Sequence, residues 1–524
     1  MAVKSFRISC ASAAFAAVFA TGALADGSAN FKSDVNAAID AGLAYARANN
    51  YFTTFNYANG LSLLTLLEKE SIPAGYNGLS AADKLLAQNA ACILIDSGFF
   101  GDRAGFYSYY DGQVMMGLAV YLDTGGPDTP AASVGFNCAG RSARQTIDKV
   151  VDRTIAAQQG GVPAWGNCAG YWGYSGPDCD SSTTQLTIAG LASAKGFYAA
   201  KGESADKARL PLITTALNLT SDGYAANGSP QSGGLFNTCT ATGCSGHGYQ
   251  AYYGYYYGSA YNVPQQTASG AWGQLVGARN VNDTSVQRYL RWLQNAYNPD
   301  TNPGTWYYGA QSYFYFLWSS SKAYNIIQQS GVLPTAGNIS PDAMGTLPPL
   351  TVGTLSRIQN RNPANDVRPP PRGAGAAGYY GAPNAAQSGW YYDYAYRLMS
   401  LQNAAGLFPN PLGSWGYPQV DHSYAILVLQ RSLGGACVDS DGDGVCDKDD
   451  NCPSVPNPDQ DPAACQVTIT CDVNNDGKVT QADLSLIRAK NGQAAGANDP
   501  YDPNKDGKIN VADVRYCQLR LTPP

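Results

Sequence analysis

Apolar side chains recur every three to four residues over Val35 to Ala46, Ala82 to Ile95, Ala143 to Ala157 and Ser285 to Ala296, a period that predicts helices with one buried face. Between them run further apolar helical stretches, each opened by an aromatic, glycine-rich turn. Trp172-Gly-Tyr174 and then Asp180-x-Ser182-x-Thr184-Gln185 lead into an apolar run through Leu191, and Trp415-Gly-Tyr417 and then Asp421-x-Ser423 lead into another. Looser copies surround Trp306 and Trp390, and Phe55-Asn-Tyr57, Phe106 to Asp111 and Gly248-Tyr249 open more. A helical hairpin of this kind cannot bury its apolar face alone, so neighbours must stack. Six hairpins closed on themselves predict an all-α fold, an (α/α)6 toroid over residues 26–434. Helices that start at the WGY turns then lie inside, with Asp180, Ser182 and Asp421 as N-caps. A stretch rich in Pro, Gly, Ala and Arg at about 331–388 predicts an extended surface insertion. Its Arg357, Arg361, Arg368 and Arg372 are expected in a solvated loop, with attraction of an anionic ligand as the alternative.

The W-G-Y…D-x-S-x-T-Q phrase resembles the repeats of squalene cyclases and protein prenyltransferases, which share this toroid. The resemblance covers roughly Phe55 to Ser432 and implies a fold rather than an activity. Class II terpene cyclases use a D-x-D-D acid, and the nearest match here, Asp178-Cys-Asp180-Ser, lacks the last Asp. A prenyltransferase zinc triplet of Asp, Cys and His stands at no convincing spacing, and the G-C-G-E-Q motif of thioester toroids is absent. All three activities are therefore disfavoured.

The C-terminal region carries a different chemistry. Oxygen-bearing residues at loop positions 1, 3, 5 and 12, with Gly at 6, recur three times: Asp439, Asp441, Asp443 and Asp450; Asp472, Asn474, Asp476 and Asp483; Asp502, Asn504, Asp506 and Asp513. That spacing suits a seven-coordinate Ca²⁺, with the seventh-position carbonyls of Lys478 and Lys508 adding ligands. Residues 435–466, with Asp447 completing the set, resemble a thrombospondin type 3 repeat. Residues 467–524 resemble a type I dockerin, which implies docking to a cohesin-like module or cell-surface protein through loop positions 10 and 11: Gln481, Ala482, Val511 and Ala512.

Charge and cysteine usage refine this picture. The net charge is −6, and the segment from Cys437 onward, with 15 Asp against 8 Lys plus Arg, holds nearly all of the excess acid. No basic stripe with interleaved aromatics points to nucleic acid, and no later stretch is apolar enough to predict a membrane anchor. Lys4 and Arg7 before an Ala-rich run, closed by Ala23-Leu24-Ala25, predict a signal peptide over residues 1–25 and a secreted or periplasmic product. Of 13 Cys, Cys10 leaves with that signal, and the remaining even number suits an oxidising compartment. Pairs Cys239–Cys244, Cys168–Cys179 and Cys471–Cys517 are expected.

The 36 Tyr cluster at the starts of the expected inner helices. Tyr can fill a wide core or present rings on which sugars or isoprenoids stack. Candidate catalytic residues are His247 as a base, with Asp111 and Asp393 beside tyrosine pairs; Asp421 and His422 are expected to pair locally. The function expected is extracellular polysaccharide binding or degradation, by a lyase or glycoside hydrolase if it is an enzyme. An adhesive or structural protein and an isoprenoid-binding protein are the alternatives.

Overall fold

A computed structural model describes residues 29–69, 75–100, 107–131, 136–160, 168–174, 179–201, 204–228, 243–249, 262–277, 279–302, 310–353, 355–381, 388–414, 417–436, 452, 455, 457, 471–474, 479–496, 499–518 and 520–521. The expected signal peptide, Cys239, Trp306, Trp415, the tyrosines from 251 to 260, and the ligands Asp439, Asp441, Asp443, Asp447, Asp450, Asp476 and Lys478 lie outside these residues. The chain divides into two compact units, Met1–Val438 and Asp439–Pro524.

The first unit is built of helices α1 (Ala29–Ala48), α2 (Asn59–Leu67), α3 (Ala81–Phe100), α4 (Tyr107–Asp123), α5 (Ala143–Ala157), α6 (Ser181–Lys201), α7 (Ser204–Asn227), α8 (Pro264–Leu275), α9 (Thr284–Asn295), α10 (Tyr313–Gln329), α11 (Trp390–Leu401) and α12 (Pro418–Leu429). The even-numbered helices form one row: α2 packs on α4, α4 on α6, α6 on α8, α8 on α10, α10 on α12, and α12 returns to α2. The odd-numbered helices flank that row, as α1 and α11 do beside α12. Burial separates the two sets. Every residue of α2 is buried, as are nearly all of α8 and α10. In α9 and α11 one stripe is buried, such as Trp390, Tyr394 and Leu398. A helix surrounded by helices is buried on every side, whereas a flanking one buries a single stripe. That difference corrects the expectation for the Trp390 phrase: α11, which it opens, is a flanking helix.

Glycines let the first row close up. A Cβ on Gly112 of α4 would run into the backbone carbonyl of Leu186 on α6, and one on Gly190 would lie 2.6 Å from the Gly112 carbonyl oxygen. Backbone cannot step aside as a side-chain tip can. Gly112→Ala is therefore expected to destabilise the helical unit by about 1–3 kcal/mol or more, read as a lower urea midpoint; an unchanged midpoint would mean that the two helices are free to separate.

The 331–388 insertion is packed, contrary to the expectation of a solvated loop. Its described residues contain a short antiparallel pair, β1 (Leu350–Val352) and β2 (Leu355–Arg357), and three of its arginines, Arg357, Arg361 and Arg368, bind the rest of the helical unit. Arg357 donates to the Asn295 side chain at 2.6 Å, Arg361 pairs with Asp300 at 2.5 Å, and Arg368 grips Asp34 of α1, which also accepts from Tyr380 at 2.8 Å. Disulfides Cys92–Cys138 and Cys168–Cys179 staple the same unit.

The second unit holds α13 (Gln481–Ala489) and α14 (Val511–Gln518), packed on each other over Val479, Leu484, Ile487, Ile509 and Val514. Thr480 and Asp483 form a capping box at the start of α13, which satisfies backbone donors that a short helix otherwise leaves open. Cys471–Cys517 ties the segment ahead of α13 to α14. Among the described residues, no helix is long and apolar enough to cross a membrane.

Candidate functional site

The turns that open the even-numbered helices bring aromatic side chains to the N-terminal ends of that row. The best preserved phrase explains how. Trp172 donates its indole N–H to the Thr154 carbonyl at 2.8 Å and its backbone N–H to Thr184 at 3.0 Å, so the turn is locked to the first turn of α6. Asp180 then caps α6, accepting from the backbone of Ser182 at 2.8 Å and Thr183 at 2.9 Å and from the Ser182 hydroxyl, all on Oδ1. Capping there fits the expectation for Asp180. Ser182 lies inside the helix and bonds the Tyr174 hydroxyl at 3.1 Å.

A partly exposed aromatic rim follows. Tyr417 meets Tyr57 with ring centres 4.5 Å apart, Tyr57 meets Phe55 at 5.8 Å, and Phe55 meets Tyr110 at 5.7 Å. Tyr109, Tyr174 and Tyr249 are half-buried in the same set of helix starts. The Tyr109 hydroxyl lies 3.1 Å from that of Tyr424, and Tyr249 bonds Ser312 at 2.9 Å. Burial pushes the Tyr109 phenol up to about 12; the hydrogen bond with Tyr424 opposes that shift, and the charges of Asp421, Tyr249 and Asp180 add to it.

Asp421 departs from its expected role. Helix α12 starts at Pro418 with Tyr417 as N-cap, so Asp421 sits inside the first turn and caps nothing. Among the described residues, its carboxylate accepts from the Asn410 amide at 3.3 Å. Burial raises its carboxyl from 3.8 to about 7, and the Asn410 contact opposes that shift. The expected pairing with His422 does not form, because neighbours on a helix point about 100° apart. His422 instead faces α1, where its ring meets the Gly42 carbonyl at 3.0 Å and the Phe408 N–H at 3.2 Å.

The other candidates have separate partner sets. His247 is buried, its Nε2 2.9 Å from the Tyr171 hydroxyl and its Nδ1 2.6 Å from the Gly248 carbonyl, and burial lowers it to about 4. Asp111 is ion-paired with Arg153. Asp393 accepts from Tyr297 at 2.7 Å, Asn360 at 2.9 Å and the Arg361 backbone at 2.9 Å, and burial raises it to about 6.

Beneath the rim the row turns polar in a way the sequence reading did not register. Gln185 accepts from Ser269 at 2.5 Å and Ser319 at 2.9 Å. About one turn further along α10, buried Lys322 lies 4.1 Å from the Trp272 ring centre and 4.3 Å from that of Trp318, with no hydrogen bond. Desolvation lowers its ammonium to about 7, and the attraction of Glu68 opposes that shift. A lone Lys inside YFYFLWSSSKAYNII was the available signal. Gly435 donates to Glu68 at 2.9 Å and sits against Val120 and Ser193, so the chain leaving α12 passes the C-terminal ends of α2 and α4 and the middle of α6.

In the second unit, Asp502, Asp506 and Asp513 bring carboxylate oxygens within 4.8 Å of one another. Asp502 accepts from the N–H of Asp506 at 3.1 Å and of Gly507 at 2.8 Å, and Asn504 accepts from Asp506 at 2.9 Å. The turn needs left-handed backbone at Lys505 (φ 59°) and Gly507 (φ 83°). Lys508 donates its N–H to Asp506 at 3.0 Å. Asp513 Oδ1 is buried without a hydrogen bond, and burial with the charges of Asp502 and Asp506 raises this carboxyl. An orphaned oxygen beside two like charges fits a bound hard cation. The 472–483 loop differs: Asp483 already accepts from Val473, Asn474 and Thr480 backbone groups. Burial acts to raise it, and those donors outweigh burial and hold it below the usual carboxylate range. Asp472 is buried. Gln481, Ala482, Val511 and Ala512 are all exposed at the helix starts, Val511 by 70%.

No family model, curated protein or solved structure matches the chain.

Proposed function

We propose that this is an exported protein whose helical unit is an (α/α)6 toroid that receives a neutral sugar chain at its tyrosine-rimmed end, and whose calcium-loop tail attaches it to a cohesin-like module or cell-surface protein. The cyclic packing of the even-numbered helices, with α12 returning to α2, supports the toroid. The observation that carries the sugar reading is the rim of Phe55, Tyr57, Tyr109, Tyr110, Tyr174, Tyr249 and Tyr417 at one end of that ring. Half-buried tyrosines offer a flat apolar face and a hydroxyl together, which is what a pyranose ring takes up.

Charge favours a neutral ligand over an acidic one. Asp180 and Asp421 stand at this end, and no described Lys or Arg acts on Asp421. For the tail, the Asp502, Asp506 and Asp513 cluster with its orphaned oxygen supports calcium binding. Calcium there supplies charge compensation and holds the turn that starts α14.

Affinity electrophoresis of the mature protein through gels containing neutral or acidic polysaccharides tests the sugar reading. Retardation by at least one neutral glycan, lost in Tyr109→Ala, is expected. Equal mobility in every gel would refute it.

A further inference from the structure

The second unit carries a groove whose charge runs against its composition. A cavity of about 360 Å³ is lined by Arg488, Asn491, Val511, Val514, Arg515 and Gln518. Arg488 and Asn491 contribute from the C-terminal end of α13, while Val511, Arg515 and Gln518, at four- and three-residue spacing, share one face of α14. Val514 is buried and Val511 is 70% exposed, so the groove offers apolar surface as well as charge.

From Cys437 onward Asp outnumbers Lys plus Arg by 15 to 8, yet the lining residues include two Arg and no Asp or Glu. Each Arg stands in the last turn of its helix, where a cation complements the helix dipole. That accounts for one cation per helix and leaves their meeting in one groove unexplained. Among the described residues neither guanidinium has a hydrogen bond or an ion pair, so both N–H forks are open to an outside acceptor.

We propose that this groove docks an acidic segment of a partner protein, its carboxylates pairing with Arg488 and Arg515 and an apolar side chain seating on Val511 and Val514. The proposal rests on the reading of the tail as an attachment module and adds the chemistry of what it attaches to. A carboxylate is the acceptor that a guanidinium fork takes in two parallel hydrogen bonds, and Arg clusters are a recurring means of recognising acidic motifs. Gln481 and Ala482 are not among the lining residues. Docking is therefore centred on α14 and the end of α13, and is not shared equally by the two helix starts.

The test uses the full mature chain, immobilised in calcium, to select from a display library of short random peptides. Selected peptides are synthesised and titrated by fluorescence anisotropy against the wild type, Arg488→Glu, Arg515→Gln and Ala482→Arg, with far-ultraviolet circular dichroism as the check on folding. Enrichment of peptides that carry Asp or Glu around an apolar residue is expected. Their affinity should fall about tenfold or more in Arg488→Glu and less in Arg515→Gln, weaken with added salt, and stay unchanged in Ala482→Arg. Peptides without excess acid, or acidic peptides bound equally by both arginine variants, would overturn the groove. If such peptides were lost in Ala482→Arg instead, the attachment reading would stand on the other helix start while the groove fell. Selection of no peptide at all would overturn the groove and remove support from the attachment reading as well. Light scattering of the chain alone should give a monomer; a dimer that dissociates in Arg488→Glu would make the occupant a second copy of this chain and overturn the assignment. If Arg488→Glu misfolds, Arg515→Gln decides, and undiminished affinity there overturns the proposal.

Discussion

Asp421→Asn is expected to be more stable than the wild type at pH 8 by about 4 kcal/mol and nearly equal to it at pH 4. The carboxyl titrates at about 7 when folded against 3.8 ordinarily, and each step of that scale is worth about 1.4 kcal/mol. Because the folded value is raised, the native state holds the extra proton between those limits. The stabilisation is complete below 3.8 and is lost as pH rises through 7. Asn has no proton to lose, so the penalty on the alkaline side vanishes. His247 and His422 act with the opposite sign. Both are lowered to about 4 by burial, so the unfolded chain takes up their protons first, and stability falls as pH drops from 6.5 towards 4. Their contribution is common to both proteins and cancels in the difference. Urea unfolding at pH 4 and pH 8 provides the check; a gap independent of pH would mean that the carboxyl ionises freely in the fold.

Chelation is expected to lower the melting transition of the second unit by about 10–20 °C and to leave that of the helical unit nearly unmoved. At a hundredfold excess of calcium over its Kd, binding contributes about 2.7 kcal/mol, and a domain of this size shifts by roughly 4–8 °C per kcal/mol. Without the cation, Asp502, Asp506 and Asp513 repel one another across less than 4.8 Å, and the buried Oδ1 of Asp513 has nothing to meet. Cys471–Cys517 persists in either state, so the effect should be reversible on re-adding calcium. Scanning calorimetry of the full chain with and without EDTA tests this, and Asp513→Asn in calcium should reproduce much of the loss. Coincident traces would contradict a structural cation.

Local signals read well from the chain. The period over Ala143 to Ala157 matches α5 end to end, because Ser142 accepts the Gln145 N–H and fixes its start. Cys168–Cys179 and Cys471–Cys517 were legible from spacing and domain ends. Long-range closures were not. Cys92–Cys138 joins residues 46 apart, and Arg368 reaches Asp34 across 334 positions; only the folded stack brings these together. The phrase at Trp390 misled because aromatic turns open flanking and central helices alike, and burial on all sides is what separates them. Asp421 read as a cap because it follows the same turn as Asp180. Pro418 starts α12 three residues earlier, since proline is favoured in the first turn where its missing N–H costs nothing.

Trp318 stacks on Tyr424 with ring centres 4.8 Å apart, and Tyr424 bonds Tyr109, so indole emission can report on the rim. Fluorescence titration of the full chain with a neutral oligosaccharide should give a saturable change that survives EDTA and is lost in Tyr109→Ala. A flat response to every neutral oligosaccharide, or the same affinity after Tyr109→Ala, would contradict a sugar-binding ring.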